Sequence, residues 1–193
     1  MAVPMISSAL LRRIIHLATP AFLIYYFLPD PLWKGGIGRE TALLLILFVV
    51  LVAEFLRLKY KPRIPGMRDY EQYQMSAAAW AAIGMTLAFL FFPLEYSAPV
   101  LMGMGWVDPL IGELRIRKSR TYPWVPIFVY FGIAGISLSY FEGVKFSVML
   151  ASIVATSLAI GIERLKLKLV DDDFLMIIVP LIGIYIVFAL IQT

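Results

Sequence analysis

The sequence predicts an all-α integral membrane protein of about seven transmembrane helices, with a cytoplasmic N-terminus and the C-terminus outside. Three observations carry that prediction. The chain has 193 residues, of which 61% are hydrophobic and only 16% charged, with mean hydropathy +0.86, less charge than a soluble domain of this length usually carries. Its apolar residues gather into runs close to the roughly 20 residues that cross a bilayer. Its basic residues fall in every second gap between those runs, as the positive-inside tendency requires.

The seven expected spans are residues 14–28, 41–56, 75–92, 97–111, 125–141, 146–162 and 174–191, read as one polytopic domain over residues 1–193. The shorter runs are completed by flanking side chains that snorkel to the headgroups. The fourth run is short, rich in Gly and Met and interrupted by Asp108, so it is expected to be a short helix reaching partway across, surrounded by protein. Met1 to Leu11 lacks a basic stretch followed by a small-residue cleavage site and is read as mature protein.

Orientation follows from four basic groups. Arg12 and Arg13 precede the first span, and Arg57, Lys59, Lys61, Arg63 and Arg68 follow the second. Arg115, Arg117, Lys118 and Arg120 follow the fourth, and Arg164, Lys166 and Lys168 the sixth. All four groups share one side if the N-terminus is inside. Small residues predict close helix packing in the third span (Ala77 to Gly84) and the sixth (Ala151 to Gly161).

Composition also narrows the chemistry. With no Cys and a single His, neither a disulfide framework, a thiolate site nor a multi-histidine metal cage is possible. The net charge of +4 is distributed as a topology signal, and no nucleic-acid partner is expected. A multi-pass chain of this kind belongs in the cell membrane of a prokaryote or the endoplasmic reticulum of a eukaryote.

The dense charge lies on the inner side, in five places. Arg12 and His16 are one helical turn apart with Arg13 beside them, either a membrane anchor or a phosphate clamp suited to the planar guanidinium fork. Glu54 and Arg57, three residues apart, read best as an intrahelical pair. Asp108 sits at membrane depth, where a carboxylate is costly and usually marks function or pairing. The glycines around it, Gly103, Gly105 and Gly112, leave backbone open to a ligand. The run Arg115 to Arg120 serves topology, anionic headgroups or a triphosphate. Finally Asp171, Asp172 and Asp173 open the last span. One carboxylate would satisfy a helix N-terminus; three adjacent ones call for cations, with Lys166, Lys168 and Mg²⁺ the candidates.

There is no Walker-type loop, protein-kinase signature, H-x-x-x-H motif or Ser–His–Asp set. Phosphoryl transfer fits better than hydrolysis through an activated side chain, because it mainly needs alignment and neutralisation of oxygen charge. A substrate with its polar end at the headgroups and its tail in the bilayer suits this setting.

The order of motifs resembles the polyprenol kinase family, which includes dolichol, phytol and farnesol kinases. They are Arg-Arg-x-x-His at Arg12 to His16, Asp108–Pro109 among glycines, Lys118–Ser119, Glu163, and Asp-Asp-Asp-Phe-Leu ahead of Val179–Pro180. The resemblance implies a CTP-dependent kinase that phosphorylates the terminal hydroxyl of a long-chain isoprenoid alcohol at the cytoplasmic face. It implies Mg²⁺ held by Asp108, Asp171, Asp172, Asp173 and Glu163. Asp171 and Asp172 are the expected principal ligands, because Asp173 stands where the family carries Asn. Arg12, Arg13, Arg115, Lys118 and Gly105 would hold the nucleotide, while Asp108, Asp172 and His16 act in catalysis. The alternatives are a CTP-dependent cytidylyltransferase that makes a CDP-activated lipid, or a non-enzymatic lipid-binding or transport protein.

Overall fold

The computed structural model describes residues 8–62, 69–163 and 170–191. Arg63, Arg68, Arg164, Lys166 and Lys168, counted above toward orientation or cation supply, lie outside the described residues. Every regular element described is helical. In chain order they are α1 (Ser8–Ala18), a 3₁₀ segment (Thr19–Phe27), α2 (Arg39–Tyr60), a 3₁₀ turn (Asp69–Gln72), α3 (Ala77–Phe91), α4 (Leu94–Ile116), α5 (Trp124–Glu142), α6 (Phe146–Glu163) and α7 (Asp172–Ile191).

Local chemistry explains the boundaries. Pro20 sits at the start of the 3₁₀ segment, where its missing N–H interrupts the α-helical ladder. α2 has Glu40 in its first turn and Arg57 and Lys59 in its last, matching the helix dipole, and closes at Lys61 in the left-handed region (φ 48). Ser76 caps α3 by accepting from the Ala79 N–H. Phe92 and Pro93 turn the chain straight into α4. Gly143, at φ 77, ends α5.

Among the described residues, four helices are long and apolar enough to cross a membrane: α2, α5, α6 and α7. The other three expected spans take different forms. The first is split into α1 and the 3₁₀ segment, and the third is a shorter apolar helix of 15 residues. The fourth, expected to be short, is instead the longest helix described, 23 residues with Pro99 and Pro109 inside it. It continues past Ile111 because Glu113 and Arg115, which read as loop in the sequence, find charged partners on α1 and α6.

α4 and α7 form the middle of the bundle. α4 packs on α5, α7, α1 and the 3₁₀ segment, while α7 packs on α6, α3 and α4. Leu101, Met104, Val107 and Ile111 of α4, spaced at three and four residues, meet a core that includes Ile177, Leu181, Ile184 and Phe188 of α7. Ala151, Ala155 and Ala159 make α6 a smooth, fully buried face, and Gly183 of α7 lies against Val154 and Leu158. Gly84 of α3 is similarly placed against Phe174 and Ile177 of α7. The third and sixth spans, expected to pack closely, both pack on α7. By contrast α2 packs mainly on α3 and leaves most of its length exposed.

Candidate functional site

α1, α4 and α7 converge on a cluster of three ionisable side chains. His16 comes from the last turn of α1, Asp108 from the inner half of α4 and Asp173 from the first turn of α7. His16 and Asp173 are buried, at 6% and 3% exposure, and Asp108 is half-buried. The His16 ring stands between the two carboxylates: Nδ1 is 3.8 Å from Asp108 Oδ2 and Nε2 is 3.8 Å from Asp173 Oδ2. Arg12, one turn earlier on α1, donates from Nε to His16 Nε2 (3.4 Å) and brings a guanidinium nitrogen to 3.7 Å from Asp173 Oδ2.

Gly105 makes this approach possible. A Cβ at that position would lie 2.7 Å from the His16 carbonyl oxygen and 3.0 Å from Pro20 Cδ. Gly105 precedes Asp108 by almost one turn, so the helix backbones touch where the two side chains must meet. Trp106 Nε1 also donates to the Leu17 carbonyl, at 3.4 Å. The space a side chain would take at Gly105, expected to face a nucleotide, is occupied by α1 and the start of the 3₁₀ segment. Gly103 likewise lies against the Tyr130 ring.

One ligand atom each from His16, Asp108 and Asp173 can be chosen within 4.8 Å of one another. The 3.8 Å separations are longer than hydrogen bonds. They involve opposite ring nitrogens, so one ion could use only one of these nitrogens, together with an oxygen from each carboxylate, and such a set of three atoms lies within 4.8 Å. Asp173 Oδ1 is buried without a hydrogen-bond partner, an arrangement that is costly unless something else satisfies it. The residues present therefore fit a divalent cation. The two carboxylates suit Mg²⁺, and an imidazole nitrogen would also suit Mn²⁺ or Zn²⁺.

Asp171, Asp172 and Asp173 form a second group with ligand atoms within 4.8 Å. Asp171 Oδ1 accepts the Asp173 N–H at 3.1 Å, which orients the start of α7. Burial, then the neighbouring Asp172 carboxylate, push the Asp171 pKa up to about 6. Asp173 is the member common to both groups. Asp173, the member given last in the expectation, is the one that faces His16 and Asp108. Only the fold could reveal this, because it depends on which face of α7 turns toward α1 and α4.

The remaining expected residues are placed elsewhere. Arg13 pairs with Glu113 of α4, which also pairs with Arg117. Arg115 holds Glu163 of α6 with two bonds, at 2.5 and 2.6 Å, and also donates to Tyr122 Oη at 3.0 Å. Glu163 and Arg115 thus engage each other, tying α4 to α6, and neither belongs to the two clusters. Lys118 is exposed beyond the end of α4, in the left-handed region (φ 48). The end of that helix is about 12 Å along the axis from Asp108. Glu113 and Tyr122 were not anticipated; charge spacing could have suggested Glu113–Arg117, but nothing in the sequence signals Tyr122.

Glu54 and Arg57 are a structural knot. Arg57 binds both Glu54 oxygens (2.8 and 2.7 Å) and donates to the carbonyls of Glu71 and Gln74. Glu54 in turn accepts from the Ser76 N–H and hydroxyl. The pair, buried at the end of α2, thereby holds the start of α3.

Comparison with protein-family models, with curated proteins and with solved structures finds no match to this chain.

Proposed function

We propose that this chain is a membrane-embedded, divalent-cation-dependent phosphotransferase of the polyprenol kinase kind. It would carry the γ-phosphoryl group of CTP to the terminal hydroxyl of a long-chain isoprenoid alcohol. The observation that carries the reading is the meeting of buried His16 and Asp173 with half-buried Asp108 beside Arg12, where α1, α4 and α7 converge. Buried ionisable groups in a membrane protein mark a functional site by default. The donor CTP and the isoprenoid acceptor rest on the motif resemblance alone.

In this reading α1 with its 3₁₀ continuation, α3 and α4 lie within the bilayer along with the four apolar helices. That makes seven crossings, with the cluster on the cytoplasmic side. A divalent ion held by Asp108 and Asp173 supplies neutralisation of phosphate-oxygen charge. Arg12, already beside Asp173, is placed to bind phosphate oxygens through its fork. Its N–H points at His16 Nε2, which leaves the ring proton on Nδ1, toward Asp108. The alcohol oxygen forms a bond to the γ-phosphorus, the bond to the β-bridging oxygen breaks, and CDP leaves. The hydroxyl proton passes to His16 Nε2, and the resulting imidazolium is stabilised between the two carboxylates. A loose transition state requires no stronger base.

The test is purified protein with γ-labelled CTP, Mg²⁺ and a panel of isoprenoid alcohols. Label entering the lipid phase supports the kinase, and label that never does refutes it. With α-labelled CTP, cytidine on the lipid would instead identify cytidylyl transfer. If Asp108→Asn and Lys61→Gln behave alike in every lipid assay, the charges serve only topology.

A further inference from the structure

We infer that Asp173 bridges two divalent-cation positions: a buried one shared with Asp108 beside His16, and a more open one shared with Asp171 and Asp172. The inference deepens the reading above and rests on its divalent cation, but not on the identity of donor or acceptor.

Asp173 belongs to both groups of mutually close ligand atoms. Its Oδ2 is the oxygen that faces His16 and Arg12. Its Oδ1 is buried and has no hydrogen-bond partner. Asp173 thus has one oxygen turned to His16 and Arg12 and a second left without a hydrogen-bond partner, and a carboxylate that gives one oxygen to each ion is the usual bridge in two-metal sites, where the ions stand about 3.5–4 Å apart. Helix capping does not account for the second group. Asp171 already serves the first turn of α7 by accepting the Asp173 N–H, leaving Asp172 and the orphaned oxygen unexplained.

Charge points the same way. Asp108, Asp171, Asp172 and Asp173 bring four carboxylates, and Arg12 returns one positive charge. One divalent ion leaves the site net negative, and a triphosphate arriving there brings further negative charge that a second ion would offset. The two positions also differ in access. The buried His16 lines the inner position, whereas the outer one has two half-buried carboxylates, Asp171 and Asp172, against the inner one's Asp108. The outer position is the more open to a phosphate-bearing ligand.

The experiment is Mn²⁺ titration of the full chain in nanodiscs without nucleotide, followed by electron paramagnetic resonance. The expected result is two ions per chain with an exchange-coupled spectrum. Asp171→Asn/Asp172→Asn should bind one uncoupled ion, and so should Asp108→Asn. Asp173→Asn should lose the coupling and at least ten-fold in affinity at both positions. Melting and gel filtration check that each variant folds; if Asp173→Asn does not, the wild-type spectrum and the other two variants decide. A single uncoupled ion in the wild type overturns the bridge while leaving the inner position standing. Two uncoupled ions, or losses that do not follow these residues, overturn it as well. No bound ion at all removes both this inference and the metal-dependent reading of the site.

Discussion

His16 Nε2 and Asp173 Oδ2 stand 3.8 Å apart, although one residue lies in the first helix and the other in the last one described. Asp173 is buried among other carboxylates with only Arg12 and His16 as cationic company in the ion pairs described. Under the proposed function such a residue is kept at the expense of stability. Asp173→Asn should therefore abolish cation-dependent turnover, by at least a hundred-fold. Without metal, the same variant should melt higher than wild type by the equivalent of about 1 kcal/mol. Thermal unfolding in detergent with chelator measures the second effect, and a lower melting temperature would count against it.

Gly105 sets the distance between α1 and α4. Gly105→Val should push the His16 carbonyl away and weaken Mn²⁺ binding by roughly ten-fold or more, as a shift of about 1 Å in a positioned group is costly. Gly112→Ala, on the same helix with nothing within 4 Å of the added carbon, should leave binding unchanged. Equal effects from both would show that helix propensity, not the α1 contact, governs the site.

The Glu54–Arg57 knot predicts the reverse pattern. Arg57→Met leaves Glu54 buried and without its cation, and breaking a buried pair this way costs about 3–5 kcal/mol. The expected outcome is a large fall in melting temperature with cation affinity per folded molecule intact. Denaturation and Mn²⁺ titration of the same sample separate the two.

The pKa of Asp171, raised to about 6, predicts how pH acts. Between roughly pH 4 and 6 the folded chain keeps a proton that the unfolded chain has lost, so metal-free stability falls as pH rises through that window. Ion and proton compete for the same carboxylate. Mn²⁺ affinity at the outer position should therefore be about ten-fold weaker at pH 5 than at pH 7.5. Asp171→Asn should flatten this dependence; a flat wild-type profile would refute it.

Much of this molecule was legible in its residues. Helices formed at all seven apolar runs because hydrophobic clustering and the caps at Ser76 and Gly143 are local signals. His16, Asp108 and the aspartate triplet stood out because charge beside apolar sequence needs a reason. What stayed hidden depends on rotation and partners. The reading that ended the fourth span at Ile111 failed because Glu113 and Arg115 are neutralised by residues far away in the chain. Glu163, expected as a metal ligand, lies against Arg115, a pairing set by how α6 faces α4. Which aspartate of the triplet faces His16 depends on the rotation of α7, which three consecutive identical residues cannot reveal.

The arrangement of α1, α4 and α7 has a consequence for biosynthesis. Chains emerge from the ribosome N-terminal end first, so α1 and α4 are made long before α7. During that interval Asp108 can already be met by His16 and Glu113 by Arg13, which lets a charge-bearing α4 settle early. The third wall of the cluster then arrives with α7, bringing Asp173. A nascent chain stalled before α7 would hold the histidine and one carboxylate in place yet lack Asp173, so the three-residue cluster is completed only when the last described helix joins the bundle.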